Sequence, residues 1–550
     1  MMRIVQTSLA AIAVCASAAV AAQGATDLSP LAERFKSHVA FLADDLLEGR
    51  DIGSRGHEIA ALYVATRFEG MGLKPGGDKG GWYQRITFQR TSRSDTPGSV
   101  TISGPAGSRS WKHATDVTVS LNPLDPDVDV SAPLVFVGYG IQDKALGIDD
   151  YRGLDVKGKI VVTLSGFPKG MPSEEGAHLS ASKDVTAARH GAIGTISIAT
   201  IQSEKARPWA RSVQFASNPR VNWVDANGRP HVDAPAIRGS AALNTPAAEA
   251  AFAGAPKALK AVLAEADKTG GRPRGFALKT SARIVNSAKI ETITSPNVVG
   301  ILPGSDPSLA AQYVVLSAHL DHIGISPAQP DDKPGTDRIN NGALDNAAGI
   351  ATMLEVARTA TSAPTRPRRS IIFVASTGEE KGLLGADYYA RHPSVPISQI
   401  VGNVDLDMPL LLYPFTDVIA FGADHSTLGK LVADAVAPMD IKLSPDPMPQ
   451  ESIFVRSDHY MFVRQGVPAV FLATGFANGG EAAWGSFLSG NYHHPGDDMS
   501  QKIDWQAAAR FTEANYRITR AMADADQAPE WYQGDYFGNL FAPERTKAAK

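Results

Sequence analysis

Two carboxylates stand side by side in Glu379-Glu380, inside the stretch STGEEKGLLG at 376–385 and directly after the β-branched run 371–375. Like charges on neighbours repel, so a turn that sets both at a strand end asks for something positive to face them. Partners of the right type lie elsewhere in the chain. His319, Asp321 and His322 follow the apolar run 313–317, and Asp405 and Asp407 close the run 400–406. Asp345 sits in the Gly-bounded loop 342–349, and His493-His494 stand in Asn491-Tyr-His-His-Pro-Gly-Asp-Asp498. Two imidazoles and three carboxylates gathered in one cleft form the donor set that zinc takes, whereas magnesium asks for oxygen alone. Taken singly, each motif has a plainer reading: a hydrogen-bonded core histidine, a solvated acidic turn, a helix cap. Their joint occurrence at strand ends outweighs it. Spacing alone leaves open whether Asp405 or Asp407, and His493 or His494, is the donor.

The elements that must position these side chains read as alternating strands and helices from residue 295 onward. Strand-like runs fall at 297–301, 313–317, 370–375, 400–406, 417–421 and 467–472, with helix-like segments at 347–361, 384–391 and 428–437. Such alternation predicts an α/β fold, a mostly parallel or mixed sheet flanked by helices, with ligands bound at the carboxyl ends of the strands. Residues 29–73 read as two helices around the loop 49–56. The region from about 100 to 198 is rich in short strands and turns.

At 550 residues with 43% hydrophobic content the chain has room for more than one domain. A net charge of −4 and the absence of a Lys/Arg stripe speak against nucleic acid or an anionic membrane surface as partner. Met-Met-Arg3, an apolar run through Val20 and the small residues Ala21-Ala22 have the layout of a signal peptide over 1–22, so the mature protein is expected in the periplasm or outside the cell, free of the membrane. The one cysteine, Cys15, falls inside it. A lipid anchor there would have Val14 as an awkward neighbour, and a mature chain without disulfides relies on core packing and bound metal.

The motifs Ser317-Ala-His-Leu-Asp-His322, Gly342-Ala-Leu-Asp-Asn-Ala-Ala-Gly349, Thr377-Gly-Glu-Glu-Lys-Gly-Leu-Leu-Gly385, Asp405-Leu-Asp-Met408 and Tyr492-His-His-Pro495 together resemble the co-catalytic zinc aminopeptidases of metallopeptidase family twenty-eight. The resemblance implies a zinc exopeptidase fold and two Zn²⁺ per chain, one held by His319 and Asp407, the other by Glu380 and His493, with Asp345 bridging them. It prefers Asp407, which directly precedes Met, and His493, which directly follows Tyr. It implies that Asp321 orients His319, that Glu379 is the catalytic general base acting on water between the ions, and that the substrates are peptides with a free N-terminus. The tyrosine that some relatives carry just before Ser-Asp-His is missing here, since Ile453-Phe-Val-Arg456 precedes Ser457-Asp-His459; Tyr460 and Arg456 are candidate substitutes that read equally well as structural residues, so the oxyanion donor stays open at this point.

Residues 132–286 resemble a β-rich protease-associated (PA) insert between a peptidase part at 30–131 and the catalytic part at 287–526, with 527–550 as a polar tail. Three rivals share this scaffold. A carboxypeptidase or dipeptidase would need a basic clamp such as Arg338 or Arg456. A glutaminyl cyclase-like transferase would use one metal, and a non-catalytic receptor-like homologue would have lost ligands.

Overall fold

The computed structural model describes residues 28–329 and 332–550. The expected signal peptide and Cys15 lie outside the described residues. The catalytic half is built on a mixed sheet. Tyr313–His319 runs parallel to Ser370–Ser376 on one side and to Ile400–Asp405 on the other, and Ile400–Asp405 in turn runs parallel to Ala469–Thr474. The end of the long strand Phe276–Leu302 joins antiparallel to Ser370–Ser376, and Asp417–Phe421 joins antiparallel to Ala469–Thr474. Ser370–Ser376, Ile400–Asp405 and Ala469–Thr474 are buried along their whole length, the signature of strands covered on both faces by helices. Among those helices, Ser29–Leu42, Ala348–Ser362 and Trp505–Asp524 pack on one another. The three central parallel strands end at the same edge, so the residues after them, His319, Glu379-Glu380 and Asp407, come together.

A second body has its own core. Strands Ser99–Gly104, Asp127–Phe136, Ile160–Leu164, Gly194–Ile198 and Gly239–Leu243 enclose Val100, Ile102, Val128, Phe136, Val162 and Ile196. This core already includes Val100 and Trp111, so the second body begins near residue 98 and not at 132. Nor does it end in a break at 286. Phe276–Leu302 is one strand of 27 residues that pairs with Asp127–Phe136 in the second body, then with Tyr83–Arg93, then with Ser370–Ser376. One continuous strand thus fixes the second body against the catalytic half.

The longest helices beyond the expected set are Gly480–Gly490 and Trp505–Asp524. The second is 20 residues long and starts at Asp504, whose carboxylate accepts from Gln506 and Ala507 N–H, a cap of about 1 kcal/mol. Its buried face includes Ala507, Ala508, Phe511, Ala514, Ile518 and Met522; so many alanines on the core stripe weaken the periodicity that reveals a helix. The last of the expected strands lies at Ala469–Thr474, two residues later than expected. The polar tail is packed into the molecule: Trp531 and Phe537 are buried, and Trp531 Nε1 donates to the Gly466 carbonyl.

Candidate metal centre

His319 is the last residue of its strand, and its Nδ1 faces the backbone carbonyl of Asp321 at 3.1 Å. That contact places the proton on Nδ1 and leaves Nε2 as a lone pair aimed into the cleft. The contact of Asp321 with His319 thus runs through its backbone carbonyl. The carboxylate instead accepts the backbone N–H groups of Glu379 and Glu380, at 3.1 and 3.4 Å, and so holds the acidic turn.

The loop of Asp345 is fixed from two sides. Asp497 accepts the N–H groups of Leu344 and Asp345, both at 3.0 Å. Asn346 donates to the Leu406 carbonyl at 2.8 Å and accepts from Met408 N–H at 3.1 Å, which ties the loop to the segment carrying Asp407. Asp405 is spoken for: Ser317 and Ser457 hydroxyls and His459 N–H all donate to it. Asp407 lies on the cleft side, its Oδ1 3.0 Å from His319 Nε2. His493 enters the cleft while His494 is exposed, so the choice of His493 agrees with its position. His493 has φ +60°, a left-handed conformation that a non-glycine residue holds at a cost of the kind found at functional sites.

The five expected ligands therefore converge. His319 Nε2 stands 3.3 Å from Asp345 Oδ1 and 3.0 Å from Asp407 Oδ1; His493 Nε2 stands 3.3 Å from Asp345 Oδ2 and 3.3 Å from Glu380 Oε2. Around a tetrahedral ion about 2.0–2.1 Å from each donor, neighbouring donors are roughly 3.3 Å apart, so these edges fit zinc. The surrounding charge asks for it as well. Burial pushes Asp321, Asp405 and Asp497 each up to about 6 and raises Glu379 and Asp458 well above the usual carboxylate range. A centre crowded with buried acids is costly unless cations neutralise it.

Three residues beyond the expected set belong to this site. Tyr492 lines the pocket with Glu379, and Arg456 donates to its hydroxyl oxygen at 3.1 Å. Asp497 holds the Asp345 loop. His322 lies against Glu380. All three sit inside motifs visible in the sequence, yet nothing local marks them, because their partners are 36, 152 and 58 residues away. Of the other candidates, Arg338 donates to the Ser326 carbonyl, and the Tyr460 hydroxyl pairs with His178, 2.6 Å away; neither lines the pocket. The rest of the pocket is mostly apolar, walled by Met408, Ile419, Phe421, Ile453, Phe471 and Trp484, with Glu451 and Ser457 as its polar members.

Residues 297–519, less than half of the chain, match the model of Peptidase family M28. The chain is 27% identical over 232 residues to a probable leucine aminopeptidase 2 of Aspergillus oryzae, an alignment covering 39% of this chain and 42% of the relative. It is 32% identical over 136 residues to aminopeptidase YwaD of Bacillus subtilis, covering 24% of this chain and 23% of the relative. The matched region thus spans less than half the length of these curated relatives. The solved aminopeptidase from Aneurinibacillus sp. strain AM-1 superposes over 92% of this chain and 97% of its own, with a TM-score of 0.51 at 19% identity, which establishes a common fold.

Proposed function

We propose that this chain is an exported, dinuclear-zinc aminopeptidase that removes N-terminal residues from peptides, with the second body acting as a protease-associated insert. The observation that carries the reading is the division of Asp345: one oxygen faces His319 and Asp407, the other His493 and Glu380, on two sides of a single carboxylate. His319, Asp407, Asp345, Glu380 and His493 would hold the ions. When bound, a zinc pair supplies an acidified water and polarises the scissile carbonyl. Glu379, raised by burial and by the neighbouring Asp407 and Glu380 charges, is a strong enough base to take the attacking water's proton and pass it to the leaving amine. With its oxygen occupied by Arg456, Tyr492 keeps its hydroxyl proton free to donate to the developing oxyanion, and burial holds that phenol in its protonated form.

The apolar pocket beside Glu379 favours a large hydrophobic N-terminal side chain. The leucine aminopeptidase name carried by the Aspergillus relative points the same way. A carboxypeptidase would need Arg456 for its substrate, but that guanidinium already donates to Tyr492 and to Glu451, so the aminopeptidase reading is the better supported. The test is turnover of aminoacyl-anilides with free and with acetylated amines, before and after chelation and zinc re-addition. Cleavage restricted to free amines and dependent on zinc bears the proposal out. Equal cleavage of the acetylated series, or activity indifferent to chelation, overturns it.

A further inference from the structure

We propose that Arg50 is a positioning residue of the metal centre, its side chain fixing the His319 turn against the Asp345 loop and so shaping the site of the ion at His319 and Asp407; the inference rests on the dinuclear reading above. The guanidinium is buried, and three separate segments meet on it. Nε donates to the Leu320 carbonyl at 2.9 Å, Nη1 to the carbonyls of Leu42 and Asn341, the latter at 2.6 Å, and Nη2 to the Gly342 carbonyl at 3.0 Å. Leu320 lies between His319 and Asp321, and Gly342 opens the loop of Asp345. The backbone of Arg50 takes part too, since its own carbonyl accepts from His322 N–H at 3.4 Å. The turn that carries His319 is thus bracketed by one residue from the far N-terminal side of the chain.

The loop 49–56 holds none of the expected ligands, yet it touches three of the segments that do. Arg50 meets the segments of His319 and Asp345, and the neighbouring Asp51 pairs with Lys381 at 3.2 Å, just past the acidic turn. Its backbone is bent for this purpose. Glu48, Gly49 and Arg50 have φ +48°, +69° and +51°, successive left-handed residues of a kind that persists only where the surroundings over-determine it. A Cβ at Gly49 would come within 2.5 Å of the Asn340 carbonyl oxygen, so glycine is what lets this turn lie flat on the Asp345 loop. That loop answers with Asn341, whose side-chain amide donates to the Ala43 carbonyl and to Asp45 at 2.9 and 2.8 Å.

Charge balance alone does not explain this arrangement. Burial lowers the guanidinium to about 10 against the opposing charges of Asp321, Asp497, Asp345 and Glu380, so it remains a cation at neutral pH. A cation placed only to offset those acids would pair with one of them, whereas every hydrogen bond of this side chain goes to a backbone carbonyl. A planar fork that reaches carbonyls on three segments sets their spacing. The ion at Glu380 depends on Arg50 less, because the Asp321 carboxylate holds the Glu379-Glu380 turn and Asp497 holds the N–H groups of Leu344 and Asp345.

Zinc affinity of Arg50→Lys, measured by competition with a chromophoric chelator and assigned to each site by anomalous diffraction at the zinc edge, is the test. Lysine keeps the charge but cannot reach carbonyls on three segments at once. The ion at His319 is therefore expected to bind about 10–100-fold less tightly, while the ion at Glu380 changes by less than about threefold. With both sites filled, kcat falls by about 10²-fold and KM changes by less than about threefold, because the reacting groups are misplaced and the pocket is not. Val64→Ala, a truncation of a buried residue in the helix Arg55–Gly70, controls for lost stability: it lowers Tm and leaves the ratio of the two affinities unchanged. Equal weakening of both ions in Arg50→Lys, parental affinity for both, or the same change of ratio in Val64→Ala overturns the inference. If Arg50→Lys does not fold, zinc-loaded parent crystals decide: a guanidinium within about 3.2 Å of the Leu320 and Gly342 carbonyls supports it, and one paired with a carboxylate instead overturns it. A parent protein that binds no zinc overturns the dinuclear reading itself.

Discussion

Asp345 holds Oδ1 3.3 Å from His319 Nε2, while its other oxygen is the one that meets His493, also at 3.3 Å. A carboxylate used from both sides cannot be replaced by a one-sided donor. Asp345→Ala is therefore expected to lose both ions together, whereas Asp407→Ala loses mainly the ion at His319. Metal analysis of purified, zinc-dialysed variants checks this. A variant without Asp345 that retains two zinc per chain contradicts the bridging role.

Glu379 and Glu380 are neighbours in sequence with different surroundings. Glu380 lies against His322 and His493, whereas Glu379 lines the pocket beside the candidate metal centre. Glu379→Gln keeps shape and metal donors but removes the base, so zinc content stays at the parental value while kcat falls about 10²–10⁴-fold. Glu380→Gln should instead weaken zinc. A Glu379→Gln enzyme with near-parental turnover removes Glu379 from the reaction.

The tyrosine hydroxyl supported by Arg456 predicts a split between binding and chemistry. Tyr492→Phe removes only the donor, so kcat is expected to fall by about 10²-fold or more with KM changed by less than about threefold. Arg456→Lys retains the charge but loses the planar fork that reaches Tyr492 and Glu451 together, and an intermediate loss follows. Steady-state kinetics on a leucyl-anilide distinguish the two.

His319, Glu380 and Asp407 were legible because each lies at or just after the end of an apolar strand run, and a parallel sheet brings such ends to one edge whatever the loops do, whereas Asp345 and His493 stand in loops and were legible only through their motifs. Asp407 over Asp405 and His493 over His494 needed more than spacing; in the structure Asp405 is consumed by Ser317 and Ser457, and His494 points to solvent. Tyr492 with Arg456, and Asp497 with the Asp345 loop, were hidden because each pairing joins segments that only the folded chain makes adjacent. The edge of the second body was misread for a different reason. Val100 and Ile102 alternate with polar residues as any two-faced strand does, and nothing local says which core they enter. The helix Trp505–Asp524 was missed because alanine supplies much of its buried face.

On the proposed aminopeptidase reading, pocket chemistry sets the preference among N-termini. Met408, Phe421, Phe471 and Trp484 offer a bulky substrate side chain apolar contact worth about 1.5–3 kcal/mol on full burial, which corresponds to roughly 10–100-fold in kcat/KM over an alanyl substrate. Leucyl, methionyl and phenylalanyl anilides should therefore lead the panel, and aspartyl and glutamyl anilides should come last. Phe421→Asp is expected to erase the preference. A parent enzyme that prefers acidic N-termini would show that this pocket does not receive the first residue.

His425 joins three parts of the molecule. Its Nε2 is 2.6 Å from Glu174 of the second body and its Nδ1 is 2.6 Å from Asp535 of the C-terminal segment, while Glu174 also accepts from Gly422 N–H. Burial alone would lower the imidazole, but its hydrogen bonds to Asp535 and Glu174 and their charges raise it from the ordinary 6.5 to about 10. A group raised on folding binds its proton more tightly in the native state. Its stabilisation is thus complete below about pH 6.5, declines as pH rises, and is lost through pH 10. His425→Gln should cost about 3 kcal/mol at pH 6, because two carboxylates are left without their cation. The gap in melting temperature between parent and variant should narrow steadily from pH 6.5 to pH 10. Thermal unfolding of both proteins across that range, at fixed zinc and ionic strength, decides the point, and a gap that is constant with pH would mean that the ring contributes packing and no charge.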